Sequence, residues 1–146
     1  MIAVILSGHG GFASGIEKAI HQVIGEQQQF IALDFPEEST TQQLEAQMRQ
    51  AIEKIDSGEG IVVLTDLLGG SPFRTASLLS QERADMQVVT GTNLQMAAEM
   101  LLERDELKLI EFRDQAIECG HRGITSLAAE MALKDKATTA EEHDGI

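Results

Sequence analysis

The chain has 146 residues, of which 42% are hydrophobic and 24% are charged, a composition typical of one globular domain with a buried core. Its 24 acidic and 11 basic residues give a net charge of -13, which argues against binding to nucleic acid or to an anionic membrane. Trp and Tyr are both absent, so the aromatic platforms that commonly stack on bases and sugar rings are missing.

The single cysteine, Cys119, leaves no possibility of an internal disulfide, and no group of Cys and His has the spacing of zinc ligands. We therefore expect no metal site and a reducing, cytoplasmic environment. The first apolar run, Ile2 to Leu6, lacks a basic flank and is too short for a signal peptide or a membrane span.

Four apolar runs alternate with helical patterns along most of the chain. The runs are continuous, as expected of parallel strands covered on both faces, and they lie at residues 2–6, 30–33, 61–64 and 86–89. Successive strand-loop-helix units predict an α/β fold with right-handed crossovers: a doubly wound, mainly parallel sheet with helices on both faces. We expect the strand order 2-1-3-4, with residues 123–127 adding a C-terminal edge strand.

The segments between the strands have the periodicity of amphipathic helices. A first helix begins at Phe12 and ends before Gly25, with predicted inward residues Phe12, Ile16, Ala19, Ile20, Val23 and Ile24. Ser39 and Gln42 have capping-box spacing ahead of a second helix over residues 40–55.

Ser71 followed by Pro72 predicts the N-cap and first turn of a third helix, with inward residues Phe73, Ala76, Leu78 and Leu79. A fourth helix follows Asn93, and a fifth is predicted over residues 106–119.

The C-terminal part of the chain has a weaker pattern. A last helical stretch reaches about Lys134, and the polar composition beyond it predicts a tail without fixed structure. We therefore expect one domain at residues 1–134 and a polar tail at 135–146.

Two glycine-rich loops follow the first and third strands, at the sheet edge where doubly wound folds bind their ligands. The first loop is Ser7-Gly8-His9-Gly10-Gly11, and the second runs from Thr65 to Phe73 and contains Asp66. In the order 2-1-3-4 these two strands are neighbours, so His9 and Asp66 are predicted to face each other.

A carboxylate that accepts a hydrogen bond from one imidazole nitrogen fixes the tautomer and aims the other nitrogen outward. This arrangement predicts that His9 is a nucleophile and that Asp66 orients it. Phosphoryl transfer also needs donors around the phosphoryl oxygens. The candidates are the Ser71 hydroxyl and the backbone at Gly10, Gly11, Gly69 and Gly70.

The loops together resemble the IIA component of the mannose-family bacterial phosphotransferase system. The resemblance covers about residues 1–133 and is greatest for the N-acetylgalactosamine or galactosamine type. It is carried by three stretches, Ser7 to Ala13, Thr65 to Phe73 and Thr90-Gly91-Thr92-Asn93.

This resemblance implies a cytoplasmic homodimer without an organic cofactor, whose members exchange a C-terminal edge strand that corresponds here to residues 123–127. It implies that His9 accepts a phosphoryl group from the histidine-containing phosphocarrier protein and passes it to a IIB component, expected here on a separate chain. Asp66 matches the carboxylate partner of the histidine, and Ser71 matches the phosphate-contacting serine. Membrane IIC and IID components would take part only indirectly.

Two other hypotheses remain open from the residues alone. Gly8, Gly10 and Ala13 approximate the dinucleotide fingerprint of a Rossmann-like module, and Asp34 ends the second strand where a ribose-binding acid would lie. Alternatively, a non-catalytic regulatory module would bind a phosphorylated ligand in the same loops without becoming covalently modified.

Overall fold

Four parallel strands form the centre of the computed structural model, which describes the backbone of residues 1–144 and the side chains of residues 1–137. The strands are β1 (Ala3–His9), β2 (Phe30–Phe35), β3 (Ile61–Thr65) and β4 (Met86–Val89). Their order is β2-β1-β3-β4 and all pairs are parallel, so the predicted order 2-1-3-4 is confirmed.

Within residues 1–144, six α-helices surround or follow this sheet. They are α1 (Phe12–Ile24), α2 (Thr41–Ile55), α3 (Ser71–Ser80), α4 (Leu94–Glu103), α5 (Leu109–Arg122) and α6 (Leu127–Asp144), with a short 3-10 turn at Arg104–Glu106. In the described chain, no helix combines the length and the apolar character that crossing a membrane requires.

The continuous apolar strands are explained by two separate cores, one on each face of the sheet. Alternate residues of β1 and β3 point to opposite faces. One face packs against α1, α4 and α5 through Val4, Leu6, Val62, Leu64, Ile20, Met100 and Phe112. The other packs against α2 and α3 through Ala3, Ile5, Ile61, Val63, Met48 and Leu79. The helices therefore lie on both faces, as predicted.

Arg104 forms hydrogen bonds at the end of the sheet that lies opposite the glycine-rich loops. Its side chain is 2% exposed, and its guanidinium donates hydrogen bonds to the carbonyls of Ile2 and Gln29, each at 3.1 Å, and to that of Gln28. These bonds satisfy backbone groups around the start of β1 and the loop before β2. No sequence pattern indicated this role.

Two residues predicted to face the core are exposed. Val23 in α1 is 62% exposed and Leu78 in α3 is 61% exposed. An α-helix turns by about 100° per residue, so Leu78 points away from its buried neighbour Leu79. Val23 lies in the last turn of α1, beyond Ala13 and Ile20, the two fully buried positions of that helix.

The predicted N-terminal caps of α2 and α3 are each displaced by one residue. The capping box of α2 is formed by Thr40 and Gln43, because Thr40 is the residue whose backbone is still extended. The N-cap of α3 is Gly70, so Ser71 is the first helical residue and makes no capping hydrogen bond.

The predicted edge strand at residues 123–127 is not formed within the described chain. The amide of Gly123 donates to the carbonyls of Cys119 and Gly120, and the amide of Ile124 donates to that of His121. These amides end α5, which also begins and ends three residues later than predicted. The segment is therefore a helix terminus and a connection.

The last helix is longer than its pattern predicted. α6 continues to Asp144 rather than ending near Lys134, so the tail predicted at 135–146 is helical over most of its length. Its side chains at 127–137 are all exposed, and its Ala, Glu and Lys content favours a helix without burial. The prediction for residues 145 and 146 lies outside the described residues.

Ile20 and Val23 were both predicted to face the core, but they should contribute differently to the free energy of unfolding. We expect Ile20→Ala to lower the free energy of unfolding by about 2–5 kcal/mol, because Ile20 is fully buried. We expect Val23→Ala, the control, to change it by less than about 0.5 kcal/mol. Urea unfolding of both variants measures the difference, and equal losses would contradict the assignment of the buried face.

Candidate active site

The two glycine-rich loops leave the sheet side by side because β1 and β3 are neighbours. Ser7 of β1 is paired with Thr65 of β3, and the chain continues from these residues into His9 and Asp66. The hydroxyl of Ser7 donates to the Leu33 carbonyl of β2 at 2.9 Å and so ties the end of β1 to its other neighbour. The parallel register therefore brings together the two residues predicted to face each other.

One carboxylate oxygen of Asp66 contacts His9 twice. Oδ2 accepts a hydrogen bond from the backbone amide of His9 at 2.8 Å and lies 3.0 Å from the ring nitrogen Nδ1. The side chain of Asp66 is 15% exposed, whereas that of His9 is 44% exposed. The contact fixes the ring with Nδ1 toward the protein, while Nε2 makes no hydrogen bond with any described residue.

The carboxyl group of Asp66 is ionised in this contact. Burial disfavours the ionised carboxyl, but the hydrogen bonds from the amide and ring of His9 outweigh it and lower the pKa of Asp66. An ionised Asp66 accepts a hydrogen bond from Nδ1–H, and in this tautomer the lone pair of His9 lies on Nε2. The predicted arrangement of an oriented imidazole is therefore present in the geometry.

The His9 ring is also positioned by close packing. Its edge meets the ring of Phe35, with centroids 5.9 Å apart and planes at 87°. On another side lies Gly70, where an added Cβ atom would stand 2.6 Å from Cε1 and 3.3 Å from Nε2 of His9. Sequence patterns missed Phe35, because its role follows from the pairing of His9 with Phe35 across β1 and β2.

Two of the predicted phosphoryl-binding glycines have their amides engaged within the loops. The amide of Gly10 donates to the Phe35 carbonyl at 2.8 Å, and that of Gly70 donates to the Leu67 carbonyl at 3.1 Å. These two residues shape the site, and their backbone N–H groups are not available as donors in this conformation.

The remaining predicted donors are available. Within the described chain, the backbone amides of Gly11, Gly69 and Ser71 have no hydrogen-bond acceptor. The Ser71 hydroxyl also has no partner there, since Gly70 and not Ser71 is the N-cap of α3. The two loops that contain His9 and Asp66 thus carry unpaired donors. Among the described residues, no cluster of three His, Cys, Asp or Glu side chains could hold a metal ion.

The dinucleotide-binding alternative is not favoured. Asp34, its ribose-binding candidate, accepts a hydrogen bond from the Ser14 amide at 2.9 Å and so holds the first turn of α1. Gly8 lies within β1 rather than in the turn, and an added Cβ atom there would meet the ring of Phe12 at 2.4 Å. This glycine is therefore explained by packing against Phe12.

Adding one methyl group at Gly70 should separate His9 from Asp66 without unfolding the protein. We expect Gly70→Ala to push the exposed ring aside, because ring rotation relieves the 2.6 Å overlap more easily than movement of the sheet. The NMR signals of the His9 ring would then lose the signature of an Nδ1–H hydrogen bond. Gly15→Ala is the control, since nothing lies within 4 Å of an added Cβ there. An unchanged Nδ1–H signal in Gly70→Ala would contradict this packing.

Comparison with known proteins identifies the family. The model described as the phosphotransferase system fructose IIA component, EIIA-man, matches residues 3–117. The chain is 32% identical over 109 residues to the fructose-specific EIIA component of Bacillus subtilis, with 75% of each chain covered. It is 30% identical over 134 residues to the mannose-specific EIIAB component of Escherichia coli, covering 91% of this chain and 42% of that protein.

A solved structure agrees with these sequence matches. The crystal structure of phosphotransferase system component EIIA from Streptococcus agalactiae has a TM-score of 0.82 and 30% sequence identity, covering 88% of this chain and 99% of that one. The chain therefore belongs to the mannose family of phosphotransferase system IIA components.

Proposed function

We propose that this protein is a phosphocarrier enzyme in which His9 accepts a phosphoryl group from the histidine-containing phosphocarrier protein and passes it to a IIB component. The observation that carries the proposal is the contact of Nδ1 with Asp66, because it leaves Nε2 of His9 exposed and nucleophilic. Family membership supports it, since IIA components of this system transfer phosphate through a histidine.

The bonds and charges of this phosphoryl transfer balance without a cofactor. The Nε2 lone pair of His9 forms a bond to phosphorus while the bond from phosphorus to the donor's histidine nitrogen breaks. The donor ring carries a proton on its other nitrogen and leaves as neutral imidazole. The His9 ring, with a proton on Nδ1 and phosphorus on Nε2, acquires the positive charge that Asp66 stabilises. Transfer to the IIB component reverses these steps on a new acceptor.

The phosphoryl oxygens need donors on the side of Nε2. The unpaired amides of Gly69 and Ser71, with the Ser71 hydroxyl, provide them at the N-terminus of α3, and the unpaired amide of Gly11 adds one at the N-terminus of α1. A helix N-terminus favours anions because its first amides lack intrahelical acceptors and the helix dipole is positive there. In this proposal Gly10 and Gly70 determine the shape of the loops. The phosphoryl group is bound by Gly11, Gly69 and Ser71.

Covalent labelling tests the proposal directly. After incubation with phosphoenolpyruvate and the two general proteins of the system, intact-mass measurement should show one added phosphoryl group on the wild type and none on His9→Gln. Asp66→Ala should be labelled on the order of 10-fold to 100-fold more slowly, because the ring loses the group that orients it.

Each result separates the alternatives. Labelling that survives in His9→Gln would remove His9 as the acceptor, and unchanged kinetics in Asp66→Ala would remove Asp66 from the mechanism. Phosphate binding without a covalent adduct on the wild type would instead support a regulatory module.

We also propose a homodimer that covers the C-terminal region. Ile124, Leu127 and Leu133 are apolar and are 75%, 79% and 62% exposed, which supports burial against a second copy. Light scattering at micromolar concentration should therefore report twice the monomer mass for the wild type. Ile124→Ser should weaken the association, and a monomeric wild type would contradict the proposal.

The remaining features of the proposed function follow from the resemblance. We propose residues 1–134 as the functional IIA unit, 135–146 as a tail, and the cytoplasm as its location. We propose N-acetylgalactosamine or galactosamine as the sugar. The similar proteins named above are fructose- and mannose-specific, and the sugar would be bound by the membrane IIC and IID components rather than by this chain.

A further inference from the structure

The sequence has six arginines, and the side chains of five of them are hydrogen-bonded in the structure, with Arg74 as the exception. Arg104 is bonded to backbone carbonyls, and the other four contact carboxylates: Arg49 with Glu45 and Glu82, Arg83 with Asp56 and Asp85, Arg113 with Asp114, and Arg122 with Glu99. Arg74 is exposed, and its side chain makes no hydrogen bond or ion pair within the described residues. In a chain of net charge -13, an arginine without a carboxylate partner is unexpected.

The position of Arg74 links it to the reactive histidine. Its amide donates to the Gly70 carbonyl at 2.9 Å, so Arg74 lies one helical turn after Gly70 on α3. Residues four apart lie on the same face of a helix with Cβ atoms about 5–6 Å apart. Side chains also lean toward the helix N-terminus, which here is the end beside His9. A Cβ at Gly70 would be 3.3 Å from Nε2, so a long side chain that leans toward the helix N-terminus from the next turn can reach the same nitrogen.

The site lacks a cation for the charge that it is proposed to carry. The unpaired donors of the two loops are three neutral amides and one hydroxyl, whereas a phosphoryl group brings nearly two negative charges. Asp66, the carboxylate that contacts His9, is directed at Nδ1 rather than at Nε2. Guanidinium groups bind phosphoryl oxygens through paired, charge-assisted hydrogen bonds.

We propose that Arg74 is a phosphoryl-binding residue, whose guanidinium contacts the phosphoryl oxygens once the group is on His9. This inference rests on the proposed function, because it requires His9 to be phosphorylated. Arg74 remains free of carboxylates in the unphosphorylated protein and gains its partner on transfer. It therefore speeds labelling and slows hydrolysis of the phosphohistidine.

The test uses a small phosphoryl donor, so that contact with a protein partner is removed from the measurement. Phosphoramidate is incubated with the full chain as wild type, Arg74→Gln, Arg74→Lys and Arg113→Gln, and intact mass gives the rates of labelling and of loss after the donor is removed. Arg113→Gln is the matched control, because it removes an exposed arginine that already has a carboxylate partner.

We expect Arg74→Gln to be labelled about 10-fold more slowly and to lose the phosphoryl group faster, the effect of one charge-assisted contact that is partly open to solvent. Arg74→Lys should recover part of both rates, and Arg113→Gln should match the wild type. The NMR signals of the unphosphorylated His9 ring should be the same in wild type and Arg74→Gln, which separates phosphoryl binding from a structural effect on the ring.

Three results would overturn the inference. Wild-type rates in Arg74→Gln would exclude Arg74 as a phosphoryl-binding residue. They would not contradict the proposed function of His9. A defect seen with the phosphocarrier protein but not with phosphoramidate would assign Arg74 to contact with an acidic protein surface instead. No labelling of the wild type by either donor would remove the proposed function as well.

Discussion

The contact between Asp66 and His9 is the interaction on which the rest of the site depends. A single carboxylate oxygen holds both the backbone amide and the Nδ1 atom of His9, so the loop and the ring are fixed together. This is possible because β1 and β3 are adjacent and parallel, and because their register puts Ser7 beside Thr65. The remaining features of the site limit where the ring can turn and what surrounds Nε2.

The glycines around His9 have different physical roles. Gly8 and Gly70 are required by space, since a Cβ at either position would overlap an aromatic or imidazole ring. Gly10 and Gly69 have φ values of 55° and 78°, a left-handed conformation that glycine adopts without strain. A glycine-rich loop therefore is not simply a set of amide donors. The amides of two predicted donors are bonded to backbone carbonyls, and only the others are unpaired.

Sequence periodicity predicted the elements well and individual burial less well. The four strands were identified because both of their faces are covered, which makes them continuously apolar. Val23 and Leu78 were assigned to the core because a helical repeat does not show how far the neighbouring sheet extends. The edge strand at 123–127 was wrong for the single chain, because those amides end α5.

The sequence by itself predicted the fold class and, once the strand order 2-1-3-4 was assumed, the proximity of His9 to Asp66. These follow from local patterns and from the topology that parallel strands require. Only the tertiary structure decided which amides remain unpaired, why Gly70 must lack a side chain, and that Arg74 has no carboxylate partner within the described residues. Such facts depend on contacts between residues that are distant in the chain, and no local pattern contains them.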